Sequence, residues 1–170
     1  MTSVTWQIQP VATAESLAAV RTLLEEYWNS FGFTPCFQNF GQELAGLPGA
    51  YAPPTGRLAL ATVDDQSTAG QIAGCIALRR VDAERAEVKR LYVRPAFRGC
   101  GLGRALMEWA ISEARAVGYK EIVGDTMAVM RDALALYDRM GFERVGSGPK
   151  VQASASSQIP EEPILIRIQL

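Results

Sequence analysis

From Val4 to Gln9 apolar residues alternate with polar ones, as on an edge strand. Leu17, Val20, Leu24 and Tyr27 then recur at helical spacing. The second run predicts a helix capped by Thr13 and ending near Ser30, its apolar side chains belonging to a core rather than a ligand box. A shorter helix is expected over Phe37 to Leu47, before P-G and P-P dipeptides break the chain. Arg57 to Val63 and Ile72 to Val81 read as paired strands joined through the turn residues Asp64 to Gly70. Ala86 to Val93 is the next strand, which Pro95 ends because proline has no N–H for a ladder. Between Gly101 and Val117 one stripe is apolar (Leu102, Ala105, Leu106, Trp109, Ala110, Val117), and Gly118 stops the helix. A short buried strand over Glu121 to Gly124, a helix over Val129 to Met140 closed by Gly141, and a strand over Phe142 to Gly146 follow. A long loop from Ser147 to Pro163 precedes a final strand, Ile164 to Leu170. With no linker to divide it, the chain is expected to be a single domain over residues 1–170, an α/β fold whose mixed sheet carries helices on both faces.

At 170 residues the chain is long enough to bury a sizeable core. Its formal net charge of -1, without a run of Lys or Arg, argues against a nucleic-acid-binding face. Three widely spaced cysteines, Cys36, Cys75 and Cys100, suggest reduced thiols in the cytoplasm rather than a disulfide framework. The chain has no histidine and no C-x-x-C pair, so a metal site is not expected, and hydrolase chemistry that needs histidine is excluded. Neither a signal peptide nor a run long enough to span a bilayer is evident, so a soluble protein without membrane partners is expected.

The chemistry concentrates in Leu91 to Arg104, L-Y-V-R-P-A-F-R-G-C-G-L-G-R, where a strand runs into a glycine-rich helix start. The first turn of a helix has N–H groups without intrahelical partners and carries the positive end of the macrodipole, so anions settle there. Gly99, Gly101 and Gly103 let a ligand approach the main chain, and Arg98 and Arg104 add charge. Lys89, Arg90 and Arg94 extend this basic cluster toward the loop, with Arg94 read as an ordinary solvated residue. A P-loop would end in G-K-[ST], whereas Gly103 is followed by Arg104 and Ala105. A dinucleotide fingerprint would need glycine where Arg104 stands.

The spacing R-x-x-G-x-G (Arg98, Gly101, Gly103), after the strand L-Y-V-x-P, resembles the GNAT superfamily of acyl-CoA-dependent N-acetyltransferases. A second block, A-L-A-L-Y-D-R-M-G-F from Ala133 to Phe142, is similar to that family's A-x-x-L-Y-x-x-x-G-F segment. The resemblance implies a mostly antiparallel, splayed sheet in which the strands around Leu91 and Ile122 separate to admit the pantetheine arm of acetyl-CoA. It implies cofactor contacts from the backbone of Leu91 and Val93 and from the loop Arg98, Gly99, Cys100, Gly101, Leu102, Gly103 and Arg104, with Cys100 a spectator. Tyr137 would protonate the departing sulfur. Glu87 stands where some members carry a catalytic glutamate, and Asp125 is its rival. Many members carry an asparagine where Met130 stands. Along a strand Glu87, Lys89 and Leu91 share a face unless a bulge intervenes.

The expected activity is acetyl transfer from acetyl-CoA directly to a primary amine of a small molecule or peptide; the alternative is a non-catalytic acyl-CoA sensor. Acceptor walls are expected from the first helices and the Ser147 to Pro163 loop, with Trp28, Phe31, Phe33 and Tyr51 as candidates. Glu25, Glu26 and Asp125 are candidate amine anchors. The apolar last strand is either internal or the seam of a homodimer.

Overall fold

The computed structural model describes residues 5–31, 40–65, 68–147 and 163–170. Its elements are β1 (Thr5–Pro10), α1 (Ala14–Asn29), α2 (Phe40–Gly46), β2 (Arg57–Asp65), β3 (Thr68–Arg80) and β4 (Arg85–Val93), followed by α3 (Leu102–Val117), β5 (Glu121–Thr126), α4 (Arg131–Arg139), β6 (Glu143–Ser147) and β7 (Ile164–Gln169). The described strands form one sheet in the order β1-β2-β3-β4-β5-β7-β6. Every neighbouring pair is antiparallel except β4 and β5, which α3 connects in parallel.

Two apolar clusters hold the layers together. On one face α3 places Leu102, Leu106, Met107 and Ala110 against Ile76, Leu78, Ala86 and Val88 of the sheet. Here the amphipathic stripe has formed the helix that the sequence predicts, and Gly118 closes it with φ 102. On the other face Val20, Leu23 and Leu24 of α1 and Phe40 of α2 pack on Leu58, Cys75, Ala77 and Tyr92. Thr13 caps α1 through a reciprocal pair of bonds with Ser16. Burial raises the Cys75 thiol to about 12, leaving it an inert core residue.

Several expectations are sharpened. The turn expected over Asp64 to Gly70 is shorter, because β2 continues to Asp65 and β3 begins at Thr68. β5 runs on to Thr126 beyond the expected end at Gly124, since β7 pairs with it as far as Thr126↔Ile164. α4 starts at Arg131 rather than Val129, because residues 127–130 form a tight turn with Met130 N–H donating to the Met127 carbonyl. β7 is internal, lying between β5 and β6, so its apolar residues find their neighbours within this sheet. The start of the helix expected from Phe37, the residues Phe33 and Cys36, and most of the loop expected after Ser147 lie outside the described residues.

Two departures from regularity position the site. The β4–β5 ladder consists of Arg85↔Glu121, Ala86↔Ile122 and Glu87↔Val123, after which the strands part. Where they part, β4 carries a bulge: Cys75 pairs with Tyr92 and Ala77 with Lys89, so two steps of β3 face three of β4. Arg90 supplies the extra residue, in the left-handed region at φ 60. As a result Val88 and Tyr92, which an even strand would turn the same way, belong to opposite clusters. Leu91 and Val93 thereby pack toward the α3 face and no longer share a face with Glu87 and Lys89.

Candidate active site

A cavity of ≈ 520 Å³ lies where β4 and β5 separate. Val88 to Leu91 form one wall and Asp125 to Met127 the other, with Tyr27 of α1, Glu43 of α2 and Arg79 of β3 on one side and Met130 and Tyr137 on the other. The opening between the strands is thus lined by residues carried on both layers of helices.

Tyr137 is buried, and its ring packs against Phe142 at a centroid distance of 5.4 Å. Burial, assisted by Tyr27 and Asp125, holds its hydroxyl well above the ordinary phenol range, so at neutral pH it is a proton donor. Burial likewise pushes Tyr27 up to about 12, against the opposing pull of Arg90. Leu91 and Tyr137 line one cavity.

The polar side of the cavity contains an ion pair that sequence reasoning missed. Arg90 reaches Glu43 with Nε at 3.0 Å and Nη2 at 2.5 Å, and Tyr51 donates its hydroxyl to the same carboxylate. Burial works against the Glu43 anion, but the bonds from Arg90 and Tyr51 outweigh it and hold the carboxyl below its usual range. Arg90 does not serve the phosphate loop as expected: the bulge turns it toward α2. No local pattern marks this, because the left-handed residue is arginine rather than glycine. Lys89 is also drawn into the cavity, 3.5 Å from Glu87 and 3.7 Å from Asp125.

Glu87 pairs with Arg79 at 2.6 Å as well as with Lys89, and both cations line the cavity. Of the candidate amine anchors, Asp125 lines the cavity, Glu26 is taken up by Arg94, and Glu25 is exposed. Arg94 corrects an expectation: instead of an ordinary solvated side chain it is a bridge, donating to both Glu26 oxygens at 2.9 and 2.6 Å and to the Ile72 carbonyl at 2.8 Å. It ties α1 to the sheet. Of the expected aromatic walls, Trp28 stacks on Phe40 at 4.1 Å, Phe31 packs on Tyr27 at 4.8 Å, and Tyr51 is buried on Glu43. Tyr27, read as core, is the aromatic of α1 that lines the cavity. Met130 lines it too, its sulfur 3.7 Å from the Thr126 hydroxyl, where the resembled family carries an amide.

The glycine loop has the geometry of an anion cradle. Gly99 and Gly101 take φ 78 and φ 92, and Gly101 is the N-cap of α3 with no side chain bonded to the N–H groups of the first turn. Arg98 lies exposed, donating to the Val93 carbonyl at 2.9 Å, while Arg104 is exposed and pairs with Glu108 at 2.7 Å. Cys100 bonds the Phe97 carbonyl at 2.9 Å and Leu102 is buried in the core. A Cβ on Gly103 would meet Leu136 at 3.6 Å and Val93 at 3.9 Å, so the cradle abuts both the end of β4 and the turn of α4 that carries Tyr137. Positive-φ glycines and an uncapped first turn are the chemistry that a pyrophosphate needs, and the strand edge beyond Glu87 is free of β5.

The model of the Acetyltransferase (GNAT) family matches residues 17–142. An N-acetyltransferase of Schizosaccharomyces pombe, itself described as uncharacterized, is 36% identical over 80% of this chain and 82% of its own length. In fold, an acetyltransferase from Acinetobacter baylyi superposes with a TM-score of 0.79 at 16% identity, covering 99% of this chain and 95% of that one. One from Streptococcus agalactiae gives 0.75 at 21% identity, covering 97% and 98%. With the parted strands, the glycine loop and the buried tyrosine all in place, and the family model spanning most of its length, the chain belongs to the GNAT family of acetyltransferases.

Proposed function

We propose that the chain transfers an acetyl group from acetyl-CoA directly to a primary amine of a small molecule or peptide. When bound, acetyl-CoA supplies the activated acetyl thioester. The uncapped first turn of α3, with Arg98 and Arg104 beside it, would hold the pyrophosphate. The edge of β4 beyond Glu87, free of β5, offers its backbone at Leu91 and Val93.

The observation that carries the reading is Tyr137, buried and held protonated in the same cavity as Leu91. A sensor of cofactor level would have no use for a proton donor at that place. In the proposed reaction the amine nitrogen bonds to the acetyl carbon as the carbon–sulfur bond breaks. The Tyr137 hydroxyl supplies the sulfur with its proton. Between the two carboxylates weighed for the amine proton, Asp125 lines the cavity, whereas Glu87 is not among its lining residues and accepts two bonds from Arg79. We therefore assign the proton-accepting role to Asp125 and a positioning role to Glu87.

Thiol release from acetyl-CoA across a panel of amines tests the reading directly. Tyr137→Phe is expected to lower kcat by about 10²-fold, the ordinary contribution of a positioned acid, with acetyl-CoA affinity unchanged. Unchanged turnover would remove Tyr137 from the chemistry. Tight cofactor binding without turnover on any amine would favour the sensor.

A further inference from the structure

Lys89 is four-fifths buried, with 20% side-chain exposure, yet its ammonium lies 3.5 Å from Glu87 and 3.7 Å from Asp125, too far for a good bond to either. Arg79 turns Nε and Nη2 onto one oxygen of Glu87, at 2.7 and 2.6 Å, and among the described residues its Nη1 has no partner. Both cations line the cavity. Glu87 lies between the two, with one oxygen on Arg79 and the other turned toward Lys89. Arg90 cannot serve the same purpose, because Glu43 already engages it through two nitrogens.

Resting on the transferase reading, we infer that the acceptor is a carboxylate-bearing amine of amino-acid type, its carboxylate received by Lys89 and the Nη1 edge of Arg79 and its amine by Asp125. The charges favour a singly charged group. Glu87 and Asp125 already balance Arg79 and Lys89, so an acceptor whose ammonium offsets its own carboxylate adds no net charge, whereas a doubly charged phosphate would leave excess negative charge against the two acids. Asp125 and Tyr137 line the same cavity, so an amine held by Asp125 shares it with the proton donor. Its contact with Lys89 spans 3.7 Å, so the two recognition groups are adjacent and suit an acceptor whose amine and carboxylate are separated by few bonds.

The test uses matched acceptors: amino acids, their primary amides, and the amines lacking the carboxyl group, each assayed with wild type, Arg79→Gln and Lys89→Gln. The wild type is expected to prefer the amino acid by about tenfold or more in kcat/KM, the scale of one charge-assisted bond. Arg79→Gln should shrink that preference through a higher KM for the amino acid, leaving the KM for the amide unchanged. Lys89→Gln provides a second, independent variant, and an unchanged acetyl-CoA affinity by calorimetry verifies that each is folded. Equal or better turnover of the amides and decarboxylated amines by the wild type would overturn the inference while leaving the transferase reading intact. Cofactor binding without turnover of any acceptor would overturn both.

Discussion

The phosphate cradle and the acceptor chamber are built on opposite principles. The cradle is continuous in sequence: Arg98 to Arg104 supplies the positive-φ glycines, the uncapped helix start and the flanking charge in consecutive residues. The chamber is assembled from six elements, with Tyr27 on α1, Glu43 on α2, Arg79 on β3, Lys89 and Arg90 on β4, Asp125 on β5 and Tyr137 on α4. Under the proposed function, a shared cosubstrate is met by a local motif, and a particular acceptor by side chains that only the fold brings together.

The largest effect is expected at the cradle. Gly101→Val forces a β-branched residue into φ 92, a conformation that L side chains rarely adopt, although a Cβ there would have room, with the Trp6 ring 3.7 Å away. Relief of the strain must tilt the first turn of α3 and misdirect its N–H groups. Acetyl-CoA affinity should fall by more than about tenfold, since the 1.4 kcal/mol this requires is within the strain such a residue stores. Calorimetry measures it, with circular dichroism to verify the sheet; retained affinity would disprove the cradle.

The same contrast separates what the sequence makes legible from what it hides. The strand-to-helix junction, the α3 stripe and the segment around Tyr137 are legible because each device sits within one or two turns of chain. The parting of β4 and β5 entered through resemblance, and the ladder ending at Glu87↔Val123 gives it substance. The Arg90–Glu43 pair was not legible. It needs a bulge at a non-glycine residue and a partner on a separate short helix, and neither leaves a mark in hydrophobic periodicity. The Arg94 bridge is hidden for the same reason: its partner Glu26 looks like any solvated helix residue until α1 is docked.

That pair provides the chamber's own test. Glu43→Gln leaves the Arg90 guanidinium, 11% exposed, beside a neutral amide, and breaking a buried pair in this way costs about 3 kcal/mol. The thermal midpoint should drop and acceptor KM rise while acetyl-CoA affinity is preserved. Because the folded carboxyl of Glu43 is held below its usual range, the contribution is present above that range and lost as pH falls through the folded value. The difference in midpoint between wild type and variant should therefore narrow in acid. A constant difference would mean that charge is not what the pair supplies.

The smallest effect discriminates the regions most finely. The chain has five tyrosines, of which Tyr27 and Tyr137 line the chamber and Tyr51 bonds Glu43 at its margin. Burial raises all three well above the ordinary phenol value, Tyr27 to about 12. Tyr92 and Tyr119 are also raised by burial, but without a shift of that size. Each raised phenol holds its proton more tightly folded than unfolded, so its contribution to stability is complete below pH 10 and is lost as pH rises through the folded value. Absorbance titration of the native protein should therefore show Tyr92 and Tyr119 ionising first and the chamber tyrosines only on approach to alkaline unfolding. Tyr137→Phe should remove one proton from that late phase and none from the early one. Removal from the early phase instead would place Tyr137 in contact with solvent, and a solvated phenol there would have lost the burial that keeps it a proton donor.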